Sequence, residues 1–143
     1  MGPIVCATRG GEASRRTQER AIELAQEQGA ELIFLYVIDP SFAGAVNEAL
    51  TDILVDELRL LGKCLLRLAQ TRARKKGLGA QAAIRQGDLQ HSIEAFIGEV
   101  GASMLIVGAP QPGTAADTFE PRRLNDFATA IQRATGVEVL VVE

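Results

Sequence analysis

Aromatic residues make up only 4% of this 143-residue chain, so its core must be aliphatic. Hydrophobic residues reach 47%, enough for a sizeable interior of Ile, Leu, Val and Ala, and the length fits one domain over residues 1–143. Cysteine is scarce. Cys6 in an apolar run and Cys64 in a helical pattern are not a disulfide framework, and both read as small buried hydrophobes. The one histidine, His91, has no Cys/His/Asp cluster around it and is a poor basis for a metal site. It makes no Ser/His/acid arrangement either, because adjacent Ser92 points elsewhere on a helix. Basic residues do not outnumber acidic ones: 15 against 18 gives a net charge of −3, which argues against nucleic acid as a partner. No apolar run approaches the roughly 18 residues of a membrane span, and the N-terminus lacks the layout of a signal peptide. The expected setting is therefore cytoplasmic, without a membrane partner. Repeats, low-complexity stretches and linkers are also missing.

What is present is an alternation. Ile4 to Ala7 is a short continuous apolar run, as in a strand buried on both faces. Thr8-Arg9-Gly10-Gly11 breaks it, and Glu12 to Gln28 reads as a helix with Ala21, Ile22, Leu24 and Ala25 on its core side; Gly29 suits its end. Glu31 to Ile38 is the strongest strand pattern, β-branched and aromatic, and Asp39-Pro40-Ser41 ends it. Phe34 and Tyr36, inside that strand, read as core. From about Val46 to Lys76 no Pro occurs and Leu50, Ile53, Leu54, Leu58, Leu61, Leu65 and Leu68 recur at helical spacing. This is one long helix, or two with a break near Thr51-Asp52. Its basic end, Arg72, Arg74, Lys75 and Lys76, complements the helix dipole.

Ala80 to Arg85 is a weaker strand, and Gln86-Gly87-Asp88 turns into a helix from Leu89 to Val100 with Asp88 as N-cap. Met104 to Val107, a loop from Gly108 to Thr114, a helix around Leu124 to Ala134 and a last apolar run from Val137 to Val142 make one βαβ unit. Five strands alternating with four helices demand an α/β fold: an open, doubly wound, five-stranded parallel sheet with helices on both faces. Periodicity alone leaves the strand order open. Ligands of such sheets bind at the carboxyl ends of the strands, which brings the loops after the first and fourth strands forward.

Taken in order, Ile4-Val5-Cys6-Ala7, Gly10-Gly11-Glu12-Ala13-Ser14, Ala30-Glu31-Leu32 and Val37-Ile38-Asp39-Pro40 resemble the opening half of the universal stress protein family. The Gly87-Asp88 turn, Ala102-Ser103-Met104-Leu105-Ile106-Val107-Gly108 and Val139-Leu140-Val141-Val142 resemble its second half. The resemblance covers essentially the whole chain and rests on order and spacing, since no single motif is highly specific. It implies a flavodoxin-like, adenine nucleotide α-hydrolase-like sheet in strand order 3-2-1-4-5, and homodimers joined along the fifth strand. Some members bind ATP or AMP. They do so with an Asp at the end of the first strand and a glycine loop, G-x2-G-x9-G-[ST], after the fourth, whose backbone N–H groups and hydroxyl meet phosphate oxygens.

This chain departs from that pattern. The Asp position aligns with Thr8 or Arg9, and Arg cannot accept a hydrogen bond. Gly108 keeps the first glycine, but Gln111 stands three positions on and Gly113 arrives two residues late. The G-[ST] pair aligns best with Asn125-Asp126 at the start of the last helix, where a carboxylate would repel phosphate. The expectation is a non-enzymatic binding or regulatory module of stress response with a degraded ATP site, hence no cofactor, with ATP and AMP disfavoured. The alternative is an ATP- or AMP-binding member with slow hydrolysis through the Gly108–Gly113 loop. Polar equipment for a small anionic ligand remains: Gly113 and Thr114 offer an N–H and a hydroxyl, and Arg9, Arg122 and Arg123 join them if the last helix begins near Pro121. Against this, Arg122 and Arg123 can equally be solvated charges pairing with Glu120 or Asp126. Asp39 either caps nearby backbone N–H groups or, as the resemblance implies, lies by the adenine pocket. The last strand, with Val137, Val139, Leu140 and Val141, is an apolar edge suited to pairing with its own copy.

Overall fold

The computed structural model describes residues 2–8, 12–40, 48–108 and 121–142, and the side chains of all of these except residues 12, 13 and 121–124. Strands β1 (Ile4–Ala7), β2 (Leu32–Ile38), β3 (Ala80–Gln86), β4 (Met104–Gly108) and β5 (Glu138–Val142) make one sheet in the order β3-β2-β1-β4-β5. Every pairing is parallel. Helices α1 (Glu12–Gln28), α2 (Glu48–Lys75), α3 (Leu89–Val100) and α4 (Pro121–Thr135) connect consecutive strands. Crossovers between parallel strands keep one hand. The chain moves outward from β1 to β3, then restarts on the other side with β4 and β5. That reversal puts α1 and α2 on one face and α3 and α4 on the other. The expected fold and strand order are both present.

The apolar runs supply two cores at once because strand side chains alternate. Ile4, Cys6, Leu32, Phe34, Tyr36, Ile38 and Ile106 point to the α1/α2 side. Val5, Ile33, Leu35, Leu105 and Val107 point to the α3/α4 side, against Ile93, Phe96, Ile97 and Ile131. The inner strands are sealed: Ile4, Val5, Cys6, Leu105 and Ile106 expose no surface. Burying each such aliphatic side chain contributes about 1.5–3 kcal/mol, so an aromatic-poor chain holds together through many medium-sized terms.

Helix α3 is closed at both ends. The Asp88 carboxylate accepts the His91 N–H at 3.0 Å, and Gly101 takes the left-handed conformation (φ 66°) that a residue with a Cβ adopts only at a cost. His91 itself is exposed, as expected of a surface histidine.

Helix α2 runs unbroken for 28 residues. It packs over β2 and β3. At its middle, buried Gly62 lets the helix backbone lie against the ring of Tyr36; a Cβ there would sit 2.6 Å from the ring's Cδ1. The apolar residues that recur at helical spacing do not share one side, and Leu54 is half-buried between the two. Leu58 and Leu65 join Val55, Leu66, Ala69 and Ala73 in the core, while Leu50, Ile53, Leu61 and Leu68 are exposed, as is Leu60. Cys64 was expected buried and is exposed, because it lies on this outer side. Among the described residues no helix is long and apolar enough to cross a membrane.

Candidate functional site

The strand order reverses between β1 and β4, and a crevice opens at the carboxyl ends of strands flanking such a point. Cys6 is paired with Ile106, so Thr8 and Gly108, each two residues on, face one another across the mouth. Thr8 is buried, at 3% exposure. Its N–H bonds the Leu35 carbonyl at 2.9 Å, and its hydroxyl accepts from the Gln18 side-chain amide at 2.8 Å. Gln18 in turn accepts from the Arg72 guanidinium at 2.7 Å. Helices α1 and α2 thus meet β1 in a polar chain that runs from buried Thr8 through buried Gln18 to half-buried Arg72.

The first turns of α1 explain how that chain is held. Ser14, Thr17 and Gln18 are buried and continue, at three- and four-residue steps, the stripe that Ala21, Ile22 and Ala25 complete. A buried hydroxyl or amide must find a partner, and no described buried side-chain polar atom is left without one. Gly108 belongs to the same packing. A Cβ at this position would run into the Thr17 hydroxyl, so the glycine is required by the approach of α1 to β4.

At the end of β2, Asp39 accepts the Leu89 N–H at 3.1 Å. It caps backbone as expected, but that of α3, fifty residues away, rather than its own turn. Asp39 from one side and Asp88 from the other therefore satisfy donors of one helix start, where negative charge is favourable. Next to them Gly87, at φ 145°, donates its N–H to the Ile38 carbonyl at 2.9 Å and makes the sharp exit from β3.

Helix α4 begins at Pro121, which fits proline's preference for the first helical position. This puts Arg122 and Arg123 in the first turn. It also corrects the placement of Asn125 and Asp126: both are in the second turn and exposed, not at the helix start, so Asp126 is no longer an argument against phosphate. Arg9, Gly113 and Thr114 lie outside the described residues, and the side chains of Arg122 and Arg123 do too. Of the candidates, Thr8, Asp39 and Gly108 come together at one edge of the sheet.

Residues the sequence reading passed over are Thr17, Gln18 and Arg72. Extending the α1 stripe two turns toward its N-terminus would have found the first two. Arg72, read only as a dipole partner, reaches Gln18 instead. Among the described residues no three His, Cys, Asp or Glu side chains gather to hold a metal.

The model of the universal stress protein family matches residues 1–143. The chain belongs to that family. "Universal stress protein YxiE" of Bacillus subtilis (strain 168) is 30% identical over 114 residues, covering 74% of this chain and 77% of that one. A universal stress protein solved in complex with cAMP is 26% identical, with a TM-score of 0.72 over 99% of this chain and 97% of that one. The universal stress protein UspA from Lactobacillus plantarum, 18% identical, shares the fold at a TM-score of 0.78 over 99% of this chain and 97% of its own.

Proposed function

We propose that the protein is a non-catalytic binding or regulatory module of the stress response, acting in the cytoplasm as a homodimer, with a mouth that no longer takes ATP and that accepts a small anionic ligand instead. The observation that carries this is the engagement of the mouth by the protein's own framework. The Thr8 hydroxyl is held by Gln18, and an Asp39 oxygen by Leu89 N–H. A neutral, buried hydroxyl supplies neither the charge nor the reach of a carboxylate. Losing a charge-assisted contact costs about 1.5–3 kcal/mol, roughly tenfold to a hundredfold in affinity. For the anion, the N-terminal turn of α4 with Arg122 and Arg123, together with Gly113 and Thr114, is the proposed seat.

The pairing surface is β5. Among the described residues it pairs with β4 alone, and Val139, Leu140, Val141 and Val142 are half-exposed. Val137, Val139 and Val141 face the α3/α4 core, and Leu140 and Val142 the other. An edge of this kind pairs with its copy about a two-fold axis, which satisfies both ladders. Sedimentation at tens of micromolar should show a dimer or larger species, and Val139→Pro, which removes a backbone donor, should disrupt it; circular dichroism checks that the variant still folds. A folded wild-type monomer at that concentration overturns the pairing.

A second reading is adenine-nucleotide binding with slow ATP hydrolysis, favoured by the 26% identity to a universal stress protein complexed with cAMP. Equilibrium dialysis against ATP, AMP, cAMP and inorganic phosphate, with Mg²⁺, separates the two. Phosphate retained with ATP and AMP not retained at tens of micromolar supports the first. Stoichiometric ATP or AMP at micromolar concentration supports the second.

A further inference from the structure

The outer side of α2 is unlike an ordinary solvated helix face. At about 100° per residue, Ile53, Leu60, Leu61, Cys64 and Leu68 fall within roughly 100° of arc, opposite the core-facing Val55, Gly62, Leu66, Ala69 and Ala73. Ile53 is 59% exposed, Leu60 65%, Leu61 48% and Leu68 46%. Only Glu57 interrupts the stripe, and Leu50 extends it by a turn. Scattered exposed leucines need no explanation, but a contiguous strip of this length marks an interaction surface.

Charge identifies the occupant. The first half of α2 is acidic (Glu48, Asp52, Asp56, Glu57), and after Arg59 the second half is basic (Lys63, Arg67, Arg72, Arg74, Lys75). Asp52, Asp56, Lys63 and Arg67 all project on the same flank of the apolar strip, and the ion pairs among the described residues use none of them. In a parallel pairing of two such helices, that flank would lie against the opposite flank of the copy, where Leu54, Leu58 and Leu65 stand, and its charges would gain no partner. In an antiparallel pairing, each acidic half meets a basic half.

We propose that this face is a second self-association surface, on which α2 of another copy lies antiparallel. Asp52 and Asp56 of each copy then stand beside Arg67 and Lys63 of the other. The same register sets Leu50 against Leu68, Ile53 against Cys64 and Glu57 against Leu61, with Leu60 near the two-fold axis. Each copy covers a few hundred Å² of apolar surface, short of the about 800 Å² per partner of a standard stable interface. With a carboxylate in the strip as well, the contact is weak and reversible. It is also separate from the pairing proposed for β5. Helix α2 packs over β2 and β3, at the opposite side of the sheet, so one molecule can use both surfaces and assemble beyond a pair.

Sedimentation from tens to hundreds of micromolar tests this. The wild-type mass should rise with concentration, and Leu60→Glu with Leu61→Glu should weaken that rise at least tenfold without changing the melting curve. Asp52→Lys with Asp56→Lys should abolish it, and adding Lys63→Glu with Arg67→Glu should restore it. Under oxidation, Ile53→Cys should form a disulfide with Cys64 of a second copy. Wild-type Cys64 should not link to its own counterpart, because antiparallel pairing separates the two by roughly 15 Å. Efficient Cys64–Cys64 linkage, failure of the charge reversal to rescue, or a mass that ignores the leucine substitutions would each overturn the proposal. So would co-flotation with anionic lipid vesicles that only the leucine substitutions abolish, which would give the strip to a membrane surface.

Discussion

Two cysteines of one composition behave in opposite ways because of which side of an element they occupy. Burial pushes the Cys6 thiol from 9.0 up to about 12, while Cys64 is exposed. In the native protein one thiol per chain should react with a disulfide reagent at pH 8, and the second only after denaturation. The shift also sets a pH dependence. Below the ordinary thiol range both folded and unfolded chains keep the Cys6 proton. Between about 9 and about 12 the unfolded chain loses it while the folded chain does not, so stability falls as pH rises through that window. Buried Tyr36, whose phenol is also pushed up, acts in the same direction. Denaturant midpoints should fall across this window, and Cys6→Val should flatten the fall. Sequence context placed Cys6 correctly, since it sits in a run apolar on both faces. Cys64 sits in a helix where apolar residues occur on both sides, and composition cannot say which side is covered.

At the scale of the element, α2 shows how a pattern can be legible and its meaning not. The helix and its end near Lys76 follow from the absence of proline and the recurrence of leucine, whereas its continuity past Thr51-Asp52 was left open and comes from the structure. Its docking depends on Gly62 and Tyr36, a pair no periodicity reveals. Gly62→Ala should gain up to about 1 kcal/mol in helix propensity and lose about 1–3 kcal/mol to the clash with the ring. Net destabilisation is expected in chemical denaturation, and it should shrink or reverse in a Tyr36→Val background. Helix α3 offers a second case. Asp39→Ala removes an acceptor from its first turn and should cost about 0.5–2 kcal/mol. Amide exchange should quicken first at Leu89. An Asp ending a strand reads naturally as a turn residue, and the helix it serves becomes visible only once β2 and β3 lie side by side.

For the whole molecule, the alternation of runs and helical patterns dictated a parallel sheet, whereas the order came from the likeness of successive segments to one family. The mouth was legible in outline: strand ends at Thr8, Asp39 and Gly108 were singled out, and the structure gathers them. What their neighbours do was not. Gly108, read as the first glycine of a phosphate loop, also lies where a Cβ would meet Thr17, a packing demand that the sequence does not display. The polar chain from Thr8 to Arg72 spans 64 residues of sequence, and local reading has no access to a contact of that separation. Gln18→Leu keeps the volume and removes both bonds, leaving the Thr8 hydroxyl buried without its donor. Such an orphan costs about 1–3 kcal/mol, and thermal denaturation should register it as an earlier transition.

The segregated charge of α2 also gives the molecule a pole. Peptide dipoles place about half a positive charge at a helix N-terminus and half a negative one at its C-terminus. The side chains of α2 reverse that sense with whole charges: acidic Glu48 to Glu57 at one end, basic Lys63 to Lys75 at the other. A protein of net charge −3 should by that number run straight through a cation-exchange column at neutral pH. Ion exchangers respond to the patch that can be turned toward them. This chain should be retarded, end-on, by its basic half, and Lys63→Glu with Arg67→Glu should elute it early.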